Sequence, residues 1–280
     1  MKPQLISVSP DSLDLGLHES IVKAFSLENA MVKESLKDLD ISELKAPGAV
    51  RLFQESGKEA LLWLGGKGRA SSEAAVIGYA DALLMEGSEP PRAISILPQA
   101  MQTCLATEKI RYEVDGAGLI VGAIEFAKPI AASLARLGLK RIMIVDPDDQ
   151  ATEKMVAALS RRLVGIQIEA LSRSRLTQIP TEASVAVNLV EAFDDSILEE
   201  SILEDVSYMN FLRPDGVWID WTGATVDRGF SDEIANAGVT VVNSLLIRRK
   251  RDALLISKLT GRKAEEVYLS LADSPVSHPG

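Results

Sequence analysis

The stretch Asp115–Asp146, DGAGLIVGAIEFAKPIAASLARLGLKRIMIVD, decides how the chain is read. GLIVG is an apolar run of strand length. EFAKPIAASLARLG carries Ile130, Leu134 and Leu137 at helical spacing and ends on Gly138, a residue suited to a left-handed cap. RIMIV is a second apolar run, closed by Asp146. Strand, tight turn, helix, strand is the order of the first βαβ unit of a dinucleotide-binding sheet. In that unit the turn carries glycines, and the second strand ends on a carboxylate that binds a ribose. Gly122 and Asp146 stand 24 residues apart, close to the spacing of that motif. The turn itself departs from it: where G-x-G-x-x-G is expected, the chain reads Gly122-Ala123-Ile124-Glu125-Phe126-Ala127.

On both sides of this unit, apolar runs alternate with helical patterns. Upstream, residues 4–9 read as a strand, Leu15–Ala24 as a helix and residues 28–36 as strand-like. Residues 50–55 and 60–66 read as two strands about a Ser56-Gly57-Lys58 turn. Residues 71–87 form one amphipathic pattern, with Ser71 or Ser72 placed to cap it. A short strand at residues 93–97 and a linker helix over 99–109 follow. Downstream, residues 149–163, 196–206 and 230–238 read as helices, and residues 165–171, 184–190, 216–221 and 239–243 as strands. The chain closes on helical patterns over 246–261 and 263–272. Alternation of this kind predicts an α/β protein with a mostly parallel sheet covered on both faces.

Composition narrows the function. Forty acidic against 30 basic residues give a net charge of −10, which repels nucleic acid and anionic membranes. No apolar run is long enough to span a bilayer and the first residues have no secretory pattern, so a cytoplasmic location is expected. Cys104 is the one cysteine, and His18 and His278 are the only histidines. Neither a CxxC or His-built metal site nor a Ser-His-Asp triad is therefore expected. The run Arg248-Arg249-Lys250-Arg251 is the one concentrated basic cluster. Four consecutive helical positions cannot share a face, so at least two are expected in solvent, and the others could meet an acidic small molecule or a partner's carboxylates. Gly65-Gly66-Lys67-Gly68-Arg69 reads as an exposed loop, with phosphate binding through its amides as the other reading.

The order of elements resembles the shikimate dehydrogenase family. That resemblance implies two domains: residues 1–98 with 245–280 as a small α/β substrate domain, and 99–244 as a Rossmann-like doubly wound parallel sheet, with the C-terminal helix returning to the first domain. The family's S-x-S-P-x-x-H-N, whose serines hold the substrate carboxylate, matches Ser12-Leu13-Asp14-Leu15-Gly16-Leu17-His18-Glu19, with Asp14 in place of the second serine. Its N-V-T-x-P-x-K, which carries the catalytic lysine, is set against Leu61–Lys67. Its N-T-D-x-x-G is set against Ile96–Met101, where Pro98 replaces the catalytic aspartate; Asp115-Gly116-Ala117-Gly118 mimics the same motif but reads better as a turn. Its G-A-G-G turn falls on Gly122, with Ile124 replacing the second glycine and Glu125 at the helix N-terminus. Val187-Asn188 matches V-N-A-T. Trp218-Ile219-Asp220 matches the strand ending in aspartate, with Gly223 at the family's tyrosine. Asn243–Leu246 and Leu259–Gly261 resemble the start and end of the last helix, where Lys250 stands nearest the family's substrate-binding glutamine.

These departures lead to the expectation of a protein that keeps the fold and has lost dehydrogenase chemistry. Ile124 and Glu125 would block the cofactor turn, Gly122 and Asp146 would be vestigial, and no cofactor is expected, or NAD if any. Such a protein would act as a scaffold or regulatory partner, or would bind another ligand through Ser12, Asp14, Lys67, Asn188 and Lys250. Its partner would be a protein or an acidic small molecule, with a homodimer left open. The alternative is an NAD-dependent oxidoreductase on a small hydroxy acid, using Lys67 with Asp115 or Asp220. A phosphate or nucleotide binder is the third reading.

Overall fold

The structure is a computed structural model that describes residues 3–64, 69–172, 175, 182–190, 211–222, 234 and 236–272. In chain order the elements are β1 (Gln4–Val8), α1 (Ser12–Phe25), β2 (Glu28–Lys33), β3 (Gly48–Leu52), α2 (Ser56–Leu64), β4 (Arg69–Ala70), α3 (Ser72–Ile77), β5 (Ala82–Met85), β6 (Arg92–Ile94) and α4 (Leu97–Thr107). They continue with β7 (Ala117–Val121), α5 (Ala127–Arg136), β8 (Arg141–Val145), α6 (Asp149–Ser160), β9 (Gln167–Ala170), β10 (Ala183–Asn188), β11 (Leu212–Asp220), β12 (Thr240–Asn243), α7 (Ser244–Thr260) and α8 (Ala264–Ala272). The chain divides into two compact units: Met1–Met101 with Ile247–Gly280, and Gln102–Leu246.

The second unit holds a six-stranded sheet of order β12-β11-β10-β7-β8-β9, and every pairing in it is parallel. Strands buried on both faces need no polar alternation, which is why LIV, MIV and VAV run without interruption. The chain reverses direction across the sheet at β7, between β8 and β10. A crevice at such a reversal, outside the carboxyl ends of the strands, is where doubly wound sheets bind ligands. Gly138 takes the positive φ (100°) foreseen for the end of the helix.

The first unit differs from the mostly parallel expectation. Its sheet, β2-β1-β3-β5-β6-β4, is mixed: β1 runs parallel to β2 and β3, while β5 is antiparallel to both β3 and β6. Alternation along its strands separates two cores. Leu5, Ala49, Ala82 and Leu84 face a cluster with Ile21 and with Ala253, Ile256 and Leu259 of α7. Ile6, Val8, Val50, Leu52, Leu83 and Met85 face Ala60 and Leu64 of α2. Ser7 and Arg51 are register partners in β1 and β3, and by the same alternation they belong to the α7 side.

Two local expectations are corrected. The run at residues 60–66, read as a strand, begins inside α2, which buries Ala60 and Leu64 one turn apart and leaves Leu62 exposed. A short apolar run does not distinguish strand from helix by pattern alone; here the turn of the helix against the sheet decided it. Ser56-Gly57-Lys58 accordingly starts a helix and is not a hairpin turn. Gly57 is required there because a Cβ would lie 2.1 Å from Cζ of Tyr79. The single helix read over 71–87 is also divided. Ser71 caps α3 as foreseen, accepting from the Ala74 N–H at 3.1 Å, but Gly78 ends the helix at φ 71° and the apolar residues beyond it become β5. The expected helices over 196–206 and most of 230–238, as well as Lys67, Gly223 and His278, lie outside the described residues.

Among the described residues no helix is long and apolar enough to cross a membrane, and no group of three or more His, Cys, Asp or Glu side chains could hold a metal ion.

Candidate functional site

The carboxyl edge of the second unit's sheet brings together Gly122, Asp146, Asn188 and Asp220. Gly122 follows β7 at φ 109° and donates its N–H to the Val145 carbonyl at 2.8 Å. A Cβ at this position would lie 3.0 Å from Val190 Cγ2 and 3.2 Å from Leu189 Cβ, so glycine is needed here for backbone geometry and for space. The next amide, Ala123 N–H, donates to Asp146 Oδ2 at 2.7 Å, while Asp146 Oδ1 accepts the Asp148 N–H at 2.9 Å. Asp146 thus ties the turn after β7 to the turn after β8, and Asp148 is the residue that caps α6.

The amides at the head of α5 are turned inward as well. Ala127 N–H donates to the Ile124 carbonyl at 2.8 Å and Lys128 N–H to the Glu125 carbonyl at 3.2 Å. Glu125 forms an ion pair with Lys128, three residues on, and Lys128 is itself buried. A carboxylate at this end of a helix also complements the partial positive charge of the macrodipole. The Ile124 side chain is exposed to 46%. Phe126 turns inward onto Trp221, ring centroids 5.1 Å apart.

Asn188 and Asp220 are register partners at the ends of β10 and β11. Asn188 Nδ2 donates to Asp220 Oδ1 at 3.2 Å and to the Val190 carbonyl at 3.0 Å. The same Asp220 oxygen accepts the Thr222 N–H and hydroxyl. Asp115 does not join them. It precedes β7, at the opposite edge of a parallel sheet, and accepts from Arg213 Nη1 at 3.2 Å. Asp115 and Asp220 therefore cannot serve one site in this unit.

The first unit holds a second constellation, a buried charge cluster assembled from three elements. Asp14 and His18 lie at i and i+4 on one face of α1, and Asp11 is the residue that caps its N-terminus. Arg248, Arg251 and Asp252 lie at i, i+3 and i+4 on α7. Arg51 rises from β3 between them. Asp14 Oδ1 accepts from Arg251 Nη2 at 2.7 Å and Arg51 Nη2 at 3.3 Å, and Asp14 Oδ2 accepts from Arg248 Nη1. Arg51 also meets Asp252 at 2.7 Å, the Asp14 carbonyl at 3.1 Å and Ser7 Oγ at 3.1 Å. Arg248 reaches Asp11 at 2.7 Å, and the Arg51 and Arg251 guanidiniums lie on the Phe53 ring at 4.9 and 4.8 Å. Burial alone would raise the Asp14 carboxyl, but Arg248, Arg251 and Arg51 outweigh it and hold it at about 2. Burial, with Arg51 adding to it, lowers the His18 imidazole to about 4, and Ser7 Oγ lies 2.8 Å from its Nδ1.

Asp81 is buried immediately before β5. Desolvation raises its carboxyl to about 6 against the opposing hydrogen bonds from the Leu97 and Ile96 N–H groups at the start of α4. Pro98 occupies the first turn of that helix, where a missing N–H costs nothing.

The expectation for the basic run is overturned. Arg248, Lys250 and Arg251 are buried and Arg249 is half-buried, because α7 is covered on more than one side: Arg248 and Arg251 meet carboxylates, and Lys250 lies 4.1 Å over the Tyr268 ring of α8. Ser12 is exposed at the first position of α1. Asp14, set against the family's second serine and expected to face a ligand, is instead neutralised by three guanidiniums. Reasoning from sequence missed Arg51 and Asp252 altogether. A signal existed in the arginine interrupting the apolar run Val50-Arg51-Leu52, and in the helical spacing of the two charged sets.

No protein-family model and no curated protein matches the chain by sequence. Solved structures do match it along nearly the whole length. Shikimate 5-dehydrogenase of Thermus thermophilus, solved with NADP(H) and shikimate, superimposes with a TM-score of 0.71 at 18% identity, covering 97% of this chain and 99% of that one. Shikimate 5-dehydrogenase of Listeria monocytogenes, solved with shikimate and NAD, gives 0.72 at 14%, covering 97% and 96%. The 5-ketofructose reductase of a Gluconobacter strain gives 0.68 at 15%, covering 97% and 98%. The chain has the shikimate dehydrogenase fold.

Proposed function

We propose that this protein is a divergent relative of the shikimate dehydrogenases that has given up dinucleotide binding and dehydrogenase chemistry, and serves as a scaffold or regulatory partner. The observation that carries this reading is the state of the turn after β7. A pyrophosphate is held in such sheets by free N–H groups and by the positive end of the following helix. Here Ala123 N–H is committed to Asp146, the amides of Ala127 and Lys128 to carbonyls of the turn, and the helix end carries the Glu125 carboxylate. An incoming phosphate would have to displace one carboxylate and approach another. Asp146, the residue a ribose would need, is engaged in the same contact. The turn does not fit the cofactor.

The first unit supports the same reading. Asp14, at the place of a family serine that holds the substrate carboxylate, is an anion among cations already matched to it. Fold similarity alone carries no activity.

Calorimetric titration with NAD, NADH, NADP and NADPH tests the proposal. The wild-type chain is expected to show no binding, and an Ile124→Gly/Glu125→Gly variant to gain it. Micromolar binding by the wild type would overturn the reading and restore the oxidoreductase alternative.

A further inference from the structure

The helix that leads the chain out of the first unit is capped from a distance. α4 starts in that unit, whose first segment runs to Met101, and ends in the second, which begins at Gln102. Its first residues, Ile96-Leu97-Pro98, offer no side chain that could cap it. The cap comes from Asp81, 15 residues upstream of Ile96. Ile96 N–H donates to both carboxylate oxygens at 2.8 Å, Leu97 N–H to Oδ2 at 2.7 Å, and the Ser95 hydroxyl lies 3.4 Å from Oδ2. All of these donors are neutral. Asp81 is 3% exposed and forms no ion pair among the described residues. We propose that Asp81 makes the start of α4 a pH-sensitive joint, firm in mild acid and loosened at neutral and alkaline pH.

A carboxylate sealed from water and matched only by neutral donors is disfavoured against the neutral acid, so burial raises the Asp81 carboxyl to about 6. When the first turn of α4 lifts away, water reaches Asp81 and its value returns towards the ordinary 3.8. The closed joint therefore holds a proton more tightly than the open one. Its stabilisation is full below 3.8 and is lost as pH rises through 6. From α7, Arg251 acts on Asp81 through space, but its guanidinium is bonded to Asp14 and Asp252 and stays charged. From β3, Arg51 is paired with the same two carboxylates. Asp14 is held at about 2 and His18 at about 4. On the β6 side, Asp81 N–H donates to the Ile94 carbonyl at 3.0 Å, and Ile94 and Ser95 carry no charge. Tyr79, just before β5, is raised well above its ordinary 10.0 and stays neutral, its hydroxyl donating to the Gln54 carbonyl at 2.9 Å. Asp81 is the titratable group bonded to the start of α4, and its charge changes between pH 5 and 8.

Amide hydrogen exchange of the full chain, read residue by residue by NMR between pH 5 and 8, tests this. Rates are expressed as protection factors against an unstructured chain at the same pH. Ile96 and Leu97 are expected to lose about tenfold in protection as pH rises across this range, the change that a carboxyl raised to about 6 allows there. Ile6 and Val50, in strands of the same sheet with a neighbour on each side, are expected to show no such fall. Asp81→Asn keeps an acceptor oxygen and removes the titration, so protection at Ile96 and Leu97 should become flat. Flat protection at Ile96 and Leu97 in the wild type overturns the proposal. So does an equal fall at Ile6 and Val50, which would mean that the sheet opens as one. A fall that persists in Asp81→Asn belongs to another group and overturns it as well; should that variant not fold, the wild-type comparison decides alone. The result does not depend on whether the second unit binds a dinucleotide.

Discussion

His18 and Asp81 set up opposing pH dependences in the first unit, and separating them tests the electrostatic account of its core. His18 is held neutral: burial lowers its imidazole from 6.5 to about 4, with Arg51 reinforcing it. The Arg51 N–H donates to Ser7 Oγ, which lies 2.8 Å from His18 Nδ1, within hydrogen-bond reach of the neutral ring. A depressed folded value means that the stabilisation is full above 6.5 and is lost as pH falls towards 4. Between pH 7 and 5 the loss is about 2 kcal/mol, because the unfolded imidazole takes up its proton in that window and the folded one does not. Asp81 acts with the opposite sign. Burial raises its carboxyl from 3.8 to about 6, so its ionisation destabilises the fold as pH rises through 6. Acidification from pH 7 to 5 therefore returns about 1 kcal/mol. Asp14, held at about 2, does not titrate in this window.

The wild type is thus expected to change by no more than about 1 kcal/mol between pH 7 and 5, because the two groups largely offset each other. His18→Asn should instead gain about 1 kcal/mol, and Asp81→Asn should lose about 2 kcal/mol. Urea unfolding at both pH values gives these differences. Trp63 is the one tryptophan of the first unit, so chains carrying Trp218→Phe and Trp221→Phe report that unit by fluorescence. Imidazole NMR provides the direct check, since His278 is the only other histidine and the His18 signal is identified by its loss in His18→Asn. A His18 titration near 6.5, or the same pH response in all three proteins, would refute the reasoning.

Two further perturbations probe the two constellations. Arg51→Met leaves Asp252 and Asp14 each short of a buried cation; unfolding free energy should fall by about 3–5 kcal/mol, and a loss below about 1 kcal/mol would show that the cluster is not desolvated as described. Gly122→Ala forces a methyl against Val190 at φ 109° and should destabilise the second unit by about 1–3 kcal/mol, read from Trp218 and Trp221 fluorescence; an unchanged midpoint would contradict the packing of that turn.

What the sequence alone determined is the second unit's frame. The β7–α5–β8 order, the glycine at the turn and the carboxylate at the strand end are local patterns: strands buried on both faces are apolar throughout, and a helix period is visible within ten residues. Gly122 and Asp146 at its carboxyl edge were legible for that reason, though not that Asp146 would close onto Ala123, while Asn188 and Asp220 were singled out by the resemblance to the family. The first unit yielded less. The run Ala60–Leu64 is apolar throughout and reads equally as strand or helix until the sheet it packs on is known. Its charge cluster was illegible because its partners are remote in sequence: Arg251 and Arg248 meet Asp14 across 237 and 234 residues, and Arg51 meets Asp252 across 201. Whether an isolated charge is solvated or buried depends on the counter-charge it finds, and only the tertiary structure supplies that. The four basic residues at 248–251 looked like a solvated helix start because no local pattern can show which carboxylates and aromatic faces will cover them.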